Sequence, residues 1–324
     1  MANRWRKNEL IGAELDLLDD TVGEVPIHFD AGLDLFIKEG ERKGLRDVTL
    51  HFYRRETSYL RRYLIAQGHS LILNEVTRAH IDGFVDFMRE TRGLKNGAIN
   101  TRIRGNRTFF NFLAETKRIK DSPMYKYPLL KEQKGNIETF TINQLRKLLN
   151  APNRRTFTGQ RDYTIMLLWA ETGLRLSETQ GIKVEDVKLS EGQIFVRHTK
   201  THEHRYVPIQ HRMKEQLQRY LRLRGTSPET DKLFVTLDGT ELKQSPMQKL
   251  PGKYGAQIGI KNVRLSPHTF RHTFAKLSVM NGAGVFELQK ILGHSTMDMV
   301  RTYVNLYSSD LSEKHREFSP LKDL

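Results

Sequence analysis

Apolar residues recur at three- and four-residue intervals along most of this chain, and they alternate with polar ones only across residues 187–209. A 3.6-residue period lines one face of a helix, whereas a two-residue period lines one face of a strand. The pattern therefore predicts a mainly α-helical protein with a small antiparallel β-sheet. Its strands are expected at Val187-Lys188-Leu189, Gln193–Val196 and Arg205–Ile209. A chain of 324 residues has room for two domains, each with its own core.

The first domain is expected over residues 26–120, as four amphipathic helices near Pro26–Lys43, Arg46–Gln67, Thr77–Thr91 and Asn96–Lys117. Gly44 is a plausible stop for the first of them. Two of these helices carry a basic face, Arg54, Arg55, Arg61 and Arg62 on one and Arg104 and Arg107 on the other. Phe109, Phe110 and Phe112 read as core. Residues 1–25, with six acids against three bases, read as an N-terminal arm. Residues 121–138, with two prolines, a glycine and six charges, read as a linker. The second domain, 139–324, opens with a helix near Thr141–Asn150 that Thr141 or Thr139 can cap. Later, Ser266-Pro267 starts a helix, since Ser caps and Pro suits the first turn, and Gly293 ends another. Ser295 with Asp298 resembles a capping box.

Charge narrows the partner. Lys and Arg number 53 against 38 acids, giving +15 and a pI near 9.8. Residues 1–135 hold 24 bases and 19 acids, a balance of +5, and the remainder holds 29 and 19, a balance of +10. A positive surface on both sides of the linker fits a polyanion, because each neutralised phosphate releases condensed counterions. A nucleic acid is the partner expected, and positive charge on both sides of the linker fits a two-part clamp around a duplex such as double-stranded DNA. With no cysteine, disulfides, thiolate zinc sites and thiol catalysis are all excluded. No apolar run approaches the roughly 18–20 residues of a membrane span, and the N-terminus lacks the apolar core of a secretory signal. A soluble, cytoplasmic protein is expected. His198, His202, His204 and His211 lack a carboxylate or thiolate to complete a zinc set, so no metal and no cofactor are expected.

Reactive side chains gather in three places: Arg175 with Glu178 beyond the Gly173 turn, His268-Thr-Phe-Arg271 at a helix start, and His294 followed nine residues later by Tyr303. Lys200 lies in the connection between the second and third strands. His268 and Arg271 are three apart and share a helical face. Taken singly, each group has an ordinary structural role available. Their order does not. The boxes TGLRLSE, HTFRH and LGHS, the hairpin lysine and the following tyrosine resemble the tyrosine recombinase (phage integrase) family across the second domain. The four-helix region is similar to that family's core-binding domain.

The resemblance implies a site-specific recombinase that cleaves and rejoins DNA through a covalent 3′-phosphotyrosyl intermediate, without ATP or metal. It implies Tyr303 as nucleophile, Arg175 and Arg271 on the non-bridging oxygens, and His268 as a possible base. It also implies Lys200 as general acid to the leaving 5′-oxygen, His294 on the scissile phosphate, and Glu178 orienting Arg175 or bracing the helix. Tyr307 competes with Tyr303, and Lys183 and Lys188 compete with Lys200; Tyr163, Tyr206 and Tyr254 read as packing residues. The family's mode of action implies a homo-tetramer on two DNA sites. Neighbours would exchange C-terminal segments, here Val304–Leu324 with Leu306, Leu311 and Phe318, and DNA-bending accessory proteins could assist. Two other readings stay open: a type IB topoisomerase-like relaxing enzyme, and a catalytically silent DNA-binding regulator on the same fold.

Overall fold

The computed structural model describes residues 25–132, 137–197 and 204–293. The chain divides into two compact units, Met1–Gly135 and Asn136–Leu324. The first is all helical in its described part: α1 (Phe29–Arg42), α2 (Asp47–Ala66), α3 (Arg78–Asp86), which runs on into a π-turn at Phe87–Thr91, and α4 (Asn96–Glu115). Gly44, with φ of 69°, lets the chain turn between α1 and α2. Phe36 packs against Tyr53, Phe109 and Phe112 at ring separations of 5.0, 5.6 and 5.3 Å, so the phenylalanines of α4 are core, as their spacing suggested. α2 and α4 approach closely because Gly105 faces Glu56: a Cβ there would sit 2.8 Å from that of Glu56.

Residues 121–132, read from sequence as the start of a linker, pack onto this first unit instead. Met124 and Tyr127 are buried in its core. The Tyr127 hydroxyl donates to Asp82 at 2.6 Å, and the Asn100 side chain both donates to the Leu130 carbonyl and accepts from its amide. Proline and charge marked the stretch as irregular, which it is. They could not show that two of its apolar side chains find a pocket.

The second unit surrounds α6 (Phe157–Thr172), whose residues Tyr163 to Trp169 are all buried. A helix apolar on every side belongs in a core, and the other elements pack around it. They are α5 (Ile142–Asn150), α7 (Leu176–Gly181), strands β1 (Val187–Lys188), β2 (Gln193–Val196) and β3 (Arg205–Pro208), then α8 (His211–Arg224), α9 (Gln244–Gln257), α10 (Pro267–Met280) and α11 (Val285–Leu292). Thr141 caps α5 through a reciprocal pair with Gln144, at 3.1 and 2.9 Å. The sheet is antiparallel in the order β1-β2-β3. Its register sets Ile194 opposite Val207 and Val196 opposite Arg205, with Phe195 opposite Tyr206 on the other face. Tyr206 therefore departs from the packing role expected of it, being 56% exposed, while Tyr163 and Tyr254 are buried. Among the described residues no helix is long and apolar enough to cross a membrane, and no group of three His, Asp or Glu side chains could hold a metal ion.

Candidate active site

The site is organised by two glycines that close helices in the left-handed conformation. α6 ends at Gly173 and α11 at Gly293, each with φ of 61°. A side chain at Gly173 meets a second obstacle, since its Cβ would lie 2.6 Å from Phe274 Cδ1 and 2.8 Å from Leu292 Cδ2. Left-handed backbone costs a non-glycine residue about 1–2 kcal/mol, and overpacking costs a further ~1–3 kcal/mol. Gly173→Ala is thus expected to destabilise the protein by about 2–5 kcal/mol, read from the midpoint of urea unfolding.

The turn at Gly173 delivers Arg175 to the N-cap of α7. Glu178, three residues on, accepts the Arg175 amide at 2.9 Å and the Arg175 Nη1 at 2.9 Å. Arg271 arrives from α10, whose start is fixed by Ser266 Oγ accepting the Thr269 amide and by Pro267 in the first turn. Its guanidinium is buried and donates to the Gly173 carbonyl at 2.7 Å and to the Leu292 carbonyl at 2.8 Å. Arg175 donates to the same Leu292 oxygen at 3.4 Å and to the Gly293 carbonyl at 3.0 Å. Arg175 and Arg271, 96 positions apart, thus meet at the C-terminal end of α11, immediately before His294. That end presents unpaired carbonyls and the negative pole of the helix dipole, so it attracts cations.

Burial opposes ionisation of Glu178. The hydrogen bonds and charge of Arg205, and then those of Arg175, outweigh it and hold the carboxyl at about 2. Because the folded value lies below the ordinary value of 4.5, the ionised pair stabilises the fold above that pH. The contribution, at most about 3 kcal/mol, is lost as pH falls from about 5 towards 2. Glu178→Gln is therefore expected to flatten the pH dependence of unfolding in that window while lowering stability at neutral pH. His268 reaches solvent, yet partial burial, then the charges of Arg271, Arg264 and Arg175, keep it below imidazole's ordinary value. That direction favours the neutral imidazole, the form a hydrogen-bond acceptor or base must have.

Lys200, His294, Tyr303 and the rival Tyr307 lie outside the described residues, as do the Ser295–Asp298 cap and the segment 304–324. Arg205 was not singled out from sequence. It donates to both oxygens of Glu178 at 3.1 and 2.9 Å and to the Ile291 carbonyl at 2.8 Å. A signal existed: in Arg-Tyr-Val-Pro-Ile, position 205 shares the inward frame with Val207 and Ile209, so a charge falls where the strand's alternation calls for an apolar side chain.

The basic faces of the first unit are largely engaged within it. Arg61 forks onto Asp30 with two 2.7 Å bonds, and Arg55 pairs with the buried Glu56 at 2.6 Å. Arg62 lies over the Tyr59 ring, whose centroid is also 4.1 Å from Arg102. Arg104 is 3.7 Å from Glu132, and Arg107 donates to the Tyr127 carbonyl at 3.1 Å. Arg54 has no acidic partner among the described residues and is exposed.

The phage integrase family model matches residues 138–309, the second unit with its reactive groups. The tyrosine recombinase XerC of Thermodesulfovibrio yellowstonii is 30% identical, over 71% of this chain and 78% of the relative. The tyrosine recombinase XerD of Staphylococcus haemolyticus is 30% identical over 86% of this chain and 94% of its own length. In fold, the chain is similar to a lambda integrase dimer bound to a core site, with a TM-score of 0.73 at 17% identity over 90% of this chain and 80% of that one. It is also similar to the Tn1549 transposon integrase in complex with a circular intermediate DNA, with a TM-score of 0.71 at 21% identity over 90% and 99%. The chain belongs to the phage integrase family of tyrosine recombinases. As a member it is a site-specific recombinase.

Proposed function

We propose that this recombinase cleaves and rejoins duplex DNA through a 3′-phosphotyrosyl intermediate on Tyr303. The observation that carries the reading is the meeting of Arg175 and Arg271 on the Leu292 carbonyl, one helix end away from His294. In-line attack on a phosphodiester adds charge to the non-bridging oxygens, and preorganised guanidinium groups stabilise that charge. Arg175 commits three of its five N–H donors to Glu178, Leu292 and Gly293, leaving the rest for an anion.

In the forward step the Tyr303 oxygen bonds to phosphorus and loses its proton, with neutral His268 as the base. The bond to the 5′-oxygen breaks, and Lys200 protonates that leaving group. His294 hydrogen-bonds the phosphate. Rejoining is the reverse, with a 5′-hydroxyl as nucleophile; one phosphodiester replaces another of similar energy, so no ATP is consumed. Glu178 holds Arg175 in place. Arg54, Arg55, Arg61, Arg62, Arg104 and Arg107 contact the DNA backbone, and assembly is a tetramer on two sites with exchanged C-terminal segments. A tetrameric lambda integrase on a Holliday junction has the same fold, at 16% identity and a TM-score of 0.73.

The test is chemical. The protein is incubated with nicked duplex DNA, denatured and digested, and the nucleotide-bearing peptide is sequenced by mass spectrometry. The nucleotide is expected on Tyr303. Its appearance on Tyr307, or no covalent product on any DNA that the protein recombines, overturns the assignment.

A further inference from the structure

We propose that Arg205 is a positioning residue for strand cleavage. Its guanidinium, shared between Glu178 and the last turn of α11, keeps Arg175 available to the scissile phosphate and fixes the backbone from which His294 follows. The inference deepens the phosphotyrosyl reading and rests on it.

The first support is charge. Arg175 and Glu178 alone form a neutral pair, and a neutral pair stabilises an anion poorly. Arg205 grips both oxygens of the same carboxylate, at 3.1 and 2.9 Å, while Arg175 holds Oε1 at 2.9 Å. One carboxylate between two guanidinium groups leaves a net positive charge of about one facing outward from Arg175, the more exposed of the two side chains at 31% against 12%.

The second support is position. Arg205 Nε donates to the Ile291 carbonyl at 2.8 Å, beside the Leu292 and Gly293 carbonyls that Arg271 and Arg175 hold. Its guanidinium also lies flush against the left-handed cap, for a Cβ on Gly293 would come within 2.7 Å of Nη1 and 2.8 Å of Cζ. Three arginines thus define where α11 ends, and His294 follows its Gly293 cap in the sequence. The third support is cost. Arg205 occupies an inward position of β3, opposite the buried Val196, and burying a charge there is unfavourable unless it is paired. An apolar residue would serve a plain packing role better.

The experiment measures single-turnover adduct formation at saturating nicked DNA, beside DNA affinity and thermal unfolding, for R205M and R205K. R205M keeps much of the side-chain volume but neither charge nor fork, and is expected to cleave about 30–300-fold more slowly at an affinity within about threefold of native. R205K restores the charge without the two-pronged geometry and should recover part of the rate, remaining about tenfold slow. A second DNA carries a methylphosphonate at the scissile linkage, which removes the phosphate's charge. On it the R205M defect should shrink to about threefold or less.

R205M cleaving within twofold of native overturns the role. So does an equal loss on both DNAs, which would mark a structural brace. If R205M does not fold, R205K decides: a tenfold slower rate supports the proposal and a native rate overturns it. A native chain that forms no adduct overturns the phosphotyrosyl reading underneath, and that control is read before any variant.

Discussion

Tyr303→Phe is expected to abolish the covalent DNA adduct, with loss of at least about 10⁴-fold in single-turnover cleavage, while DNA affinity stays within about twofold of native. The change removes one oxygen, the atom proposed to bond to phosphorus, and keeps the aromatic ring. No neighbouring hydroxyl can substitute unless it reaches the same in-line position, and the rival Tyr307 lies four residues further along the sequence. Affinity survives because nonspecific DNA binding is dominated by phosphate contacts of Lys and Arg, which the substitution does not touch. The measurement is a denaturing gel of labelled nicked DNA beside a fluorescence binding titration. An adduct persisting at native yield would move the nucleophile elsewhere.

Arg271→Ala carries the second largest effect, a cleavage rate lower by about 10³–10⁴-fold, equivalent to about 4–5 kcal/mol of transition-state stabilisation. A single positioned donor contributes about 10²–10³-fold in comparable oxyanion sites, and an arginine on a transferring phosphoryl group contributes about 10³–10⁵-fold. Arg271 also holds the fold, since its buried guanidinium satisfies the Gly173 and Leu292 carbonyls. Removing it strands the Gly173 carbonyl, at a cost of about 1–3 kcal/mol, and leaves Leu292 only the 3.4 Å bond from Arg175, so part of the loss in the alanine variant is structural. Arg271→Lys separates the two contributions. A lysine retains a positive charge near the carbonyls but cannot present two parallel N–H bonds, so unfolding should move little while cleavage remains slowed by about 10²-fold. If Arg271→Lys cleaves at the native rate, a bidentate contact is not needed and the assigned role fails.

Much of the architecture was legible because it is written locally. The helical period, the Ser266-Pro267 start of α10, the Thr141 cap of α5 and the left-handed glycines at 44 and 293 each depend on residues within one or two turns. The contact of Glu178 with Arg175 is local in the same way: an acid three residues beyond an N-cap reaches back to its amide. What lay beyond a few residues was not. The packing of residues 121–132 depends on apolar side chains finding a distant surface, and composition had marked them only as irregular. The basic stripes of α2 and α4 were read as faces open to DNA. Yet the fork of Arg61 on Asp30 and the bond of Arg107 to the Tyr127 carbonyl need partners 31 and 20 positions away.

The chemical identity of the groups was thus set by the chain's one-dimensional order: which arginines, which acid, which helix starts and stops. Their meeting was not. That Arg175, Arg205 and Arg271 all turn their guanidinium groups onto the last carbonyls of α11 was decided by tertiary packing alone. Local steric preferences act between near neighbours and can be read from spacing. A helix end that draws three cations from three separate elements acts through space, and only the folded chain brings those elements within a hydrogen bond of it.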